Sequence, residues 1–219
     1  MSLNPALIPV KKDVETIRKT VLTNVIKMIA ERGYIKKSLE KNIQNIEKIK
    51  DDDVYQISLD INIKKNNTDK QNTDKFDGSI IMIKIIHMKI QGIAKIPEVK
   101  EFINSYKNYH KIFIFDSISE KAKSSIADIP NNEAFNEVFF MINIVDYIDS
   151  PKYELLTEEE SKEVIDTYIL KKKEMMKILT TDPIVDYFNL KRGDIIRIIR
   201  PSEQSGKSIA YRIVAKGSS

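Results

Sequence analysis

Nine residues near the C-terminal end of the sequence, RPSEQSGKS at 200–208, end in the Gly-Lys-Ser of a phosphate-binding loop. Such a loop needs a first glycine five residues before the second, so that backbone N–H groups can surround the phosphates. Here that position is Pro201, which has no N–H to donate. A helix should follow the loop, but the alternating residues of 209–214, IAYRIV, predict a strand. The segment is therefore predicted to be part of a β-hairpin and not a nucleotide site.

Metal and acid–base chemistry would need side chains that converge in space. The two histidines, His87 and His110, each lie beside an apolar strand pattern with no second ligand or nucleophile nearby in sequence. Four residues are candidates for a metal-dependent nuclease site, namely Asp60, Asp77, Lys84 and Asp116. Nothing in their spacing favours such a site, and no catalytic residue, metal or cofactor is predicted.

The composition predicts a protein with a substantial hydrophobic core and no membrane partner. The chain has 219 residues, of which 42% are hydrophobic and 31% charged. No apolar run approaches the roughly 20 residues of a membrane span. The absence of cysteine excludes disulfides and thiolate metal sites and fits a reducing compartment.

Charge is unevenly distributed along the chain. Residues 171–219 contain 11 Lys and Arg against 5 Asp and Glu, a net charge of +6. Residues 1–170 contain the other 25 basic residues against 27 acidic ones, a net charge of −2. A basic C-terminal end suits nucleic acid or an acidic protein surface, and basicity alone does not distinguish the two.

The first two thirds of the chain predict a mixed sheet flanked by helices. Helices are predicted over 13–32, with an apolar stripe from Val14 to Ile29, and more weakly over 39–49. Two further helices are predicted, one with Pro97 at its first position and one from the cap Ser119 to Ile126. Strands are predicted over 54–63, 80–88, 111–115 and 138–145, with a polar loop over 64–78. The predicted fold class is α/β (α+β), with a first domain over 1–145.

A smaller α+β domain is predicted over 146–219. Thr157 and Glu160 form a capping box that opens a helix through about Leu170. A short helix over 183–189, begun by Asp182 as N-cap and Pro183, precedes the hairpin of 195–214.

The segment from Asp182 to Val214 resembles the assembly domain of the fifth subunit shared by eukaryotic nuclear RNA polymerases, which has a shorter archaeal counterpart. The matching residues are Asp182-Pro183, Tyr187, Leu190-Lys191-Arg192-Gly193, Ile198-Ile199-Arg200-Pro201-Ser202-Glu203, Ser205-Gly206 and Tyr211-Arg212. Upstream, Leu155 to Glu159 looks like the linker and helix start of the same family.

The N-terminal part is similar to the eukaryotic form, which has a domain that the archaeal counterpart lacks. Arg18 to Leu22 and Glu31-Arg32-Gly33-Tyr34 look like the family's first helix. The sequence departs from the family where Tyr147 and Tyr153 replace two histidines near the junction and Glu120 replaces a proline. Richness in Ile, Lys and Asn suits a large DNA virus that carries its own polymerase.

The resemblance implies a non-catalytic subunit with two domains. The C-terminal domain would dock on the largest polymerase subunit, and the nuclease-like N-terminal domain would form part of the lower jaw beside downstream duplex DNA. An intracellular site of action is implied, in the nucleus or cytoplasm, or in the virion for a viral protein. The candidate assembly residues are Asp182, Pro183, Tyr187, Lys191, Gly193, Arg200, Pro201, Ser202, Glu203, Tyr211 and Arg212.

Three residues are candidates for the DNA contact. Ser119 would cap a helix whose first N–H groups are free, and Lys121 and Lys123 follow at once. A helix N-terminus with two lysines can hold a phosphate without reading sequence. A capped surface helix with solvated lysines explains the same residues.

A free-standing DNA-binding transcription regulator is the alternative function. Such a protein would bind duplex DNA alone, with a steep salt dependence. The acidic balance of residues 1–170 argues against it.

Overall fold

The computed structural model describes residues 13–35, 46–50, 53–58, 80–92, 97–146, 150–168, 171–202 and 206–217. The helices are α1 (Val14–Glu31), α2 (Pro97–Ser105), α3 (Glu120–Ala127), α4 (Glu158–Thr167) and α5 (Pro183–Tyr187). The strands are β1 (Ile46–Lys50), β2 (Val54–Ser58), β3 (Ile80–Ile90), β4 (His110–Ile118), β5 (Asn132–Asn136), β6 (Lys152–Leu155), β7 (Lys177–Leu179), β8 (Ile195–Ser202) and β9 (Gly206–Ala215). We call the described residues up to 146 the N-terminal unit and those from 150 the C-terminal unit. Among the described helices, none is long and apolar enough to cross a membrane.

The N-terminal unit is built on a sheet with the strand order β1-β2-β3-β4-β5. β1, β2 and β3 pair antiparallel, whereas β3, β4 and β5 pair parallel. α2 and α3 connect the parallel strands and pack on one face, where Phe102 and Ile126 meet Phe113. α1 packs on the other face, where Ile83 and Ile112 are fully buried. The predicted mixed sheet between helices is confirmed.

α1 follows the predicted amphipathic pattern except at its start. Asp13 caps it by accepting from Thr16 N, and Gly33 ends it with a φ of +80°, a conformation that glycine adopts without strain. Val21, Val25 and Ile29 are completely buried. The assignment of Val14 to the core stripe is wrong, because its side chain is 62% exposed in the first turn.

Two predicted elements are corrected. The helix predicted over 39–49 is wrong where the structure describes it, because 46–50 form β1, whose backbone pairs with β2. The strand predicted over 138–145 is also wrong: Glu137–Phe140 form a 3-10 turn after β5. Of the strand predicted over 54–63, Val54–Ser58 is confirmed. The rest of that strand, like the loop over 64–78, lies outside the described residues.

The C-terminal unit is a second sheet with the order β6-β8-β9-β7. β8 and β9 form the predicted hairpin, so the Gly-Lys-Ser fragment lies at the start of β9. Gly193 has a φ of +97° in the turn between α5 and β8, as a residue without a side chain there allows. The predicted capping box of Thr157 and Glu160 opens α4.

One apolar core joins the two sheets. Ile196, Ile198 and Val214 of the C-terminal sheet belong to the same buried cluster as α1 and the N-terminal sheet. α5 contributes Tyr187, whose ring lies 6.5 Å from that of Phe139. On its other face the C-terminal sheet forms a small separate cluster with α4.

Candidate functional site

The two units meet at a buried arginine. Arg32, at the C-cap of α1, is 3% exposed and forms a two-pronged ion pair with Glu133 of β5, with both N–O distances 2.8 Å. The same guanidinium donates to two carbonyls at the end of α5, from Nε to Tyr187 O at 2.6 Å and from Nη2 to Asp186 O at 3.0 Å. Arg32 thus supplies a donor to Tyr187 O at the helix end and a further donor to Asp186 O, which also accepts from Asn189 N at 3.1 Å. We call Arg32, Glu133 and these two carbonyls the Arg32 junction.

Arg32 and Glu133 each keep the other charged although both are buried. Burial raises the pKa of Glu133, but Arg32 and His110 outweigh burial and hold that pKa well below its usual range. His110 Nε2 lies 2.6 Å from Glu133 Oε1. Burial lowers the pKa of Arg32, and Glu133 more than compensates, so the guanidinium keeps its charge. The carboxylate is therefore ionised inside the protein.

The candidate DNA residues lie at the start of α3, where β4 ends. Ser119 Oγ accepts from Ala122 N at 3.2 Å and donates to Gln91 O at 3.0 Å, which confirms the predicted cap. Lys121 is exposed. Lys123 instead forms an ion pair with Asp186 of α5, so its charge bridges the two units. The structure thus brings Ser119 and Lys121 to one surface, while Lys123 is engaged across the junction.

Three candidate assembly residues lie near enough to one tyrosine of the C-terminal sheet to act on its charge state. Tyr153 of β6 is opposite Ile198 of β8, and its surroundings include Asp182, Arg200 and Arg212. Burial and Asp182 raise the pKa of Tyr153, whereas a hydrogen bond with Ser150 and the two arginines lower it. We call Tyr153, Asp182, Arg200 and Arg212 the Tyr153 cluster. It joins residues separated by up to 59 positions in sequence into a mixed-charge surface.

The remaining assembly candidates do not join the Tyr153 cluster. Tyr187 is only 2% exposed, so its side chain cannot contact a partner directly and can only stabilise the residues that do. Tyr211 lies on the opposite face, with its ring 5.8 Å from that of Tyr168. Lys191 and Gly193 belong to the turn before β8, at the other end of that strand from Arg200. Pro201 and Ser202 end β8, and Pro201 is exposed. Glu203 lies outside the described residues.

Comparison with known proteins decides the family. The family model of the RNA polymerase Rpb5 C-terminal domain matches residues 142–214. DNA-directed RNA polymerase subunit 5 of Acanthamoeba polyphaga mimivirus is 30% identical over 222 residues, covering 98% of this chain and 100% of that protein. The chain belongs to the Rpb5 family of RNA polymerase subunits. It is thus a non-catalytic polymerase subunit, and the full-length similarity is to a viral one.

Eukaryotic Rpb5 relatives match less of the chain. The rpabc1 subunit of RNA polymerases I, II and III from Dictyostelium discoideum is 32% identical over 127 residues, or 54% of this chain and 64% of that protein. RPABC1 of Caenorhabditis elegans is 37% identical over 106 residues, or 47% of this chain and 50% of that protein.

The nuclease arrangement finds no support in this Rpb5 chain. Asp60 and Asp77 lie outside the described residues. Lys84 Nζ lies 5.5 Å above the ring of Phe102, and Asp116 lies 3.4 Å from His87. Within the described ranges, no group of three or more His, Cys, Asp or Glu side chains is arranged to hold a metal ion.

Sequence reasoning missed the Arg32 junction and the role of Lys123. The motif Glu31-Arg32-Gly33-Tyr34 contributed to the Rpb5 resemblance, but an arginine in the last turn of a helix is expected to interact with the carbonyls and dipole of that same helix. Glu133, the other half of the ion pair, is 101 positions away. No local signal pointed to this pair, because the segment NEAFN at 132–136 has little strand preference and its burial is evident only in the structure.

Proposed function

We propose that the chain docks on the largest subunit of a DNA-directed RNA polymerase through its C-terminal unit. The N-terminal unit then forms the lower jaw beside downstream duplex DNA. The other polymerase subunits complete its surroundings, and the chain is found wherever that polymerase acts, in nucleus, cytoplasm or virion. The observation that supports docking best is the Tyr153 cluster, which lies within the segment matched by the Rpb5 C-terminal family model.

The Tyr153 cluster has the chemistry of a specific protein contact. Arg200 is exposed and Arg212 half-buried, and Arg212 Nε is buried without a hydrogen-bond partner. Arginine is enriched at binding hot spots because its planar head makes two parallel hydrogen bonds to a carboxylate. Pro183, at the start of α5, adds exposed apolar surface nearby. An acidic segment of the partner would pair with this surface.

Recovery of the polymerase with tagged full-length chain tests the docking. The double variant Arg200→Glu, Arg212→Glu is expected to lose the largest subunit after a high-salt wash. The matched control is Lys172→Glu, Lys173→Glu, two exposed charge reversals in the same unit. Circular dichroism shows whether both variants are folded. Equal recovery of the largest subunit with both double variants would contradict docking through the Tyr153 cluster.

The DNA contact is supported by the position of Lys121. It is exposed one residue into α3, beside backbone N–H groups and the positive end of the helix dipole. Contacts of this type neutralise phosphates and do not select sequence. Lys123, which we also proposed from the sequence, can contribute only if it leaves Asp186.

Crosslinking in the assembled polymerase tests the DNA contact. Lys121→Glu should weaken crosslinks from this chain to downstream duplex DNA and reduce their resistance to salt. Lys107→Glu is the control, because Lys107 is exposed just before β4, at the opposite end of that strand. Lys121 is preferred to Lys123 for this test because replacing Lys123 also breaks a contact between the units. Unchanged crosslinking in Lys121→Glu would count against the jaw contact.

A further inference from the structure

We infer that Arg32 is a positioning residue that fixes the angle between the N-terminal and C-terminal units. It does so by capping, from the N-terminal unit, the last carbonyls of a helix in the C-terminal unit. The consequence for DNA contact rests on the proposed function, whereas the mechanical role rests only on the geometry of the Arg32 junction.

The directions of the hydrogen bonds make Arg32 a rigid connection. Nη1 and Nη2 hold Glu133 at 2.8 Å, so the plane of the guanidinium is set by β5. Nε and Nη2 then point at Tyr187 O and Asp186 O. A planar group with five fixed donors can satisfy a carboxylate and two carbonyls only in one relative placement of β5 and α5.

Burial makes any other placement costly. Arg32 is 3% exposed and Glu133 is 9% exposed at the side chain. Moving α5 away would leave the buried guanidinium without the two carbonyl oxygens that accept from it. Lys123 and Asp186 add a second contact between α3 and α5, near the same helix end. Both contacts connect the N-terminal unit to α5.

The placement of α5 links this geometry to assembly. The N-cap of α5 is Asp182, a member of the Tyr153 cluster, and the helix ends at Tyr187, whose carbonyl accepts from Arg32. The helix therefore connects the candidate docking surface to the N-terminal unit over five residues. A subunit anchored by the Tyr153 cluster would thereby hold Lys121 at a fixed distance from its anchor.

Distance measurements on the full-length chain test the role of Arg32. The sequence has no cysteine, so two spin labels can be attached after Ser124→Cys and Lys172→Cys, one exposed site in each unit. We expect one narrow distance distribution, which Arg32→Met broadens roughly twofold because the units can then shift relative to each other across their shared core. The control is Arg18→Met, which removes the 2.8 Å Arg18–Asp53 ion pair within the N-terminal unit. It should leave the distribution unchanged.

A milder variant covers the case in which Arg32→Met does not fold. Arg32→Lys keeps the charge beside Glu133, but one ammonium cannot reach the carboxylate and both carbonyls. It should broaden the distribution less than Arg32→Met and more than Arg18→Met. Labels at Lys19→Cys and Ser124→Cys, both in the N-terminal unit, report whether that unit is intact. An unchanged distribution between the units in Arg32→Lys, with the N-terminal pair also unchanged, would overturn the inference.

The assembled polymerase separates this inference from the proposed function. Arg32→Lys should still be recovered with the largest subunit, while its crosslinks to downstream DNA become weaker and spread over more positions. If the wild-type chain never crosslinks to downstream DNA, the proposed jaw contact fails and the distance measurements still decide the role of Arg32. If the wild type crosslinks and Arg32→Lys gives the same sharp pattern, Arg32 does not position the jaw.

Discussion

At the scale of single residues, Glu133 is the buried charge on which the Arg32 junction depends. Its pKa is lowered, because Arg32 and His110 outweigh the effect of burial. The contribution of Glu133 to stability is therefore complete above the unfolded pKa of about 4.3, and it is lost progressively as the pH falls towards the lower folded pKa.

Replacing Glu133 should be costly at neutral pH and less so in acid. Glu133→Gln leaves Arg32 buried beside a neutral group, at an expected cost of about 3–5 kcal/mol at pH 7. The difference from wild type should shrink towards pH 3, because the carboxyl of the unfolded wild-type chain then takes up a proton that the folded chain does not. Free energies of unfolding in urea at both pH values measure this. Glu98→Gln, at an exposed position, is the control, and a difference that stays constant with pH would be against the prediction.

Lys111 is a second buried charge, and its effect on stability lies in the alkaline range. Its side chain is 1% exposed, its ammonium donates to Tyr106 O at 2.9 Å and Tyr109 O at 2.7 Å, and burial lowers its pKa to about 8. Between that value and an unfolded pKa of about 10.4, the unfolded chain binds more protons than the folded one. Stability from this group therefore rises with pH across that window.

Comparison of Lys111→Met with wild type isolates this effect. From about pH 7.5 to 9.5, wild type should gain up to about 2 kcal/mol relative to the variant. Urea unfolding at a series of pH values in this range gives the difference. The exposed substitution Lys107→Met should show the pH dependence of wild type. A variant whose stability changes with pH as wild type does would show that Lys111 keeps an ordinary pKa.

Long-range charge contacts of this kind were not predictable from the sequence. The caps at Asp13, Ser119, Thr157 and Asp182 are local, and each makes the hydrogen bond that its position implies. Arg32 and Lys123 depend instead on partners 101 and 63 positions away. The Tyr153 cluster was predicted in part, because Asp182, Arg200 and Arg212 carried the family resemblance although nothing local showed that they meet.

At the scale of elements, the segment after β5 shows how a pattern of apolar residues can mislead. The run from Val138 to Val145 suits a strand, yet Glu137–Phe140 form a 3-10 turn. The rings of Phe139 and Phe140 each lie 5.1 Å from that of Phe135, the first tilted and the second edge-on, and Asn24 donates to Phe140 O at 2.7 Å. Tertiary contacts with α1 therefore outweigh the local preference for a strand.

Two substitutions distinguish the turn from the predicted strand. Val138 is 73% exposed, so Val138→Lys should change stability by less than about 0.5 kcal/mol. Phe140 is 1% exposed, so Phe140→Ala should cost about 3–5 kcal/mol. A buried strand would make both substitutions costly. Urea unfolding at neutral pH measures the two values, and a large loss in Val138→Lys would support the strand.

Strand pairing explains the other errors at this scale. β5 has the sequence NEAFN, which has little strand preference, but it pairs along its length with the buried β4, and Asn136 Oδ1 accepts from Ile118 N at 2.6 Å. β1 has apolar residues three positions apart, as a helix does, yet it lies beside β2. The long isoleucine-rich strands β3 and β4 are buried on both faces, and strands of that kind have nearly continuous apolar sequences. Both were therefore predictable from the sequence.

At the scale of the whole molecule, the two sheets share one apolar core and are joined at the Arg32 junction. The sequence predicts two domains, 1–145 and 146–219. If each domain had a separate core, the chain would be expected to unfold in two steps. Ile196 and Val214 of the C-terminal sheet instead pack in one cluster with Val25 and Ile29 of α1. We therefore expect unfolding as a single cooperative unit.

Hydrogen exchange on a core variant of the C-terminal sheet tests this cooperativity. Ile196 is fully buried, so Ile196→Ala should cost about 2–5 kcal/mol. If the units unfold together, the most protected amides of β4, in the other sheet, lose protection by the same free energy as those of β8. Ile209→Ala is the control, since Ile209 is 55% exposed on β9 and should leave both strands unchanged. Loss of protection confined to β8 would mean that the C-terminal unit opens alone, and an anchor that opens alone could not hold the N-terminal unit in place.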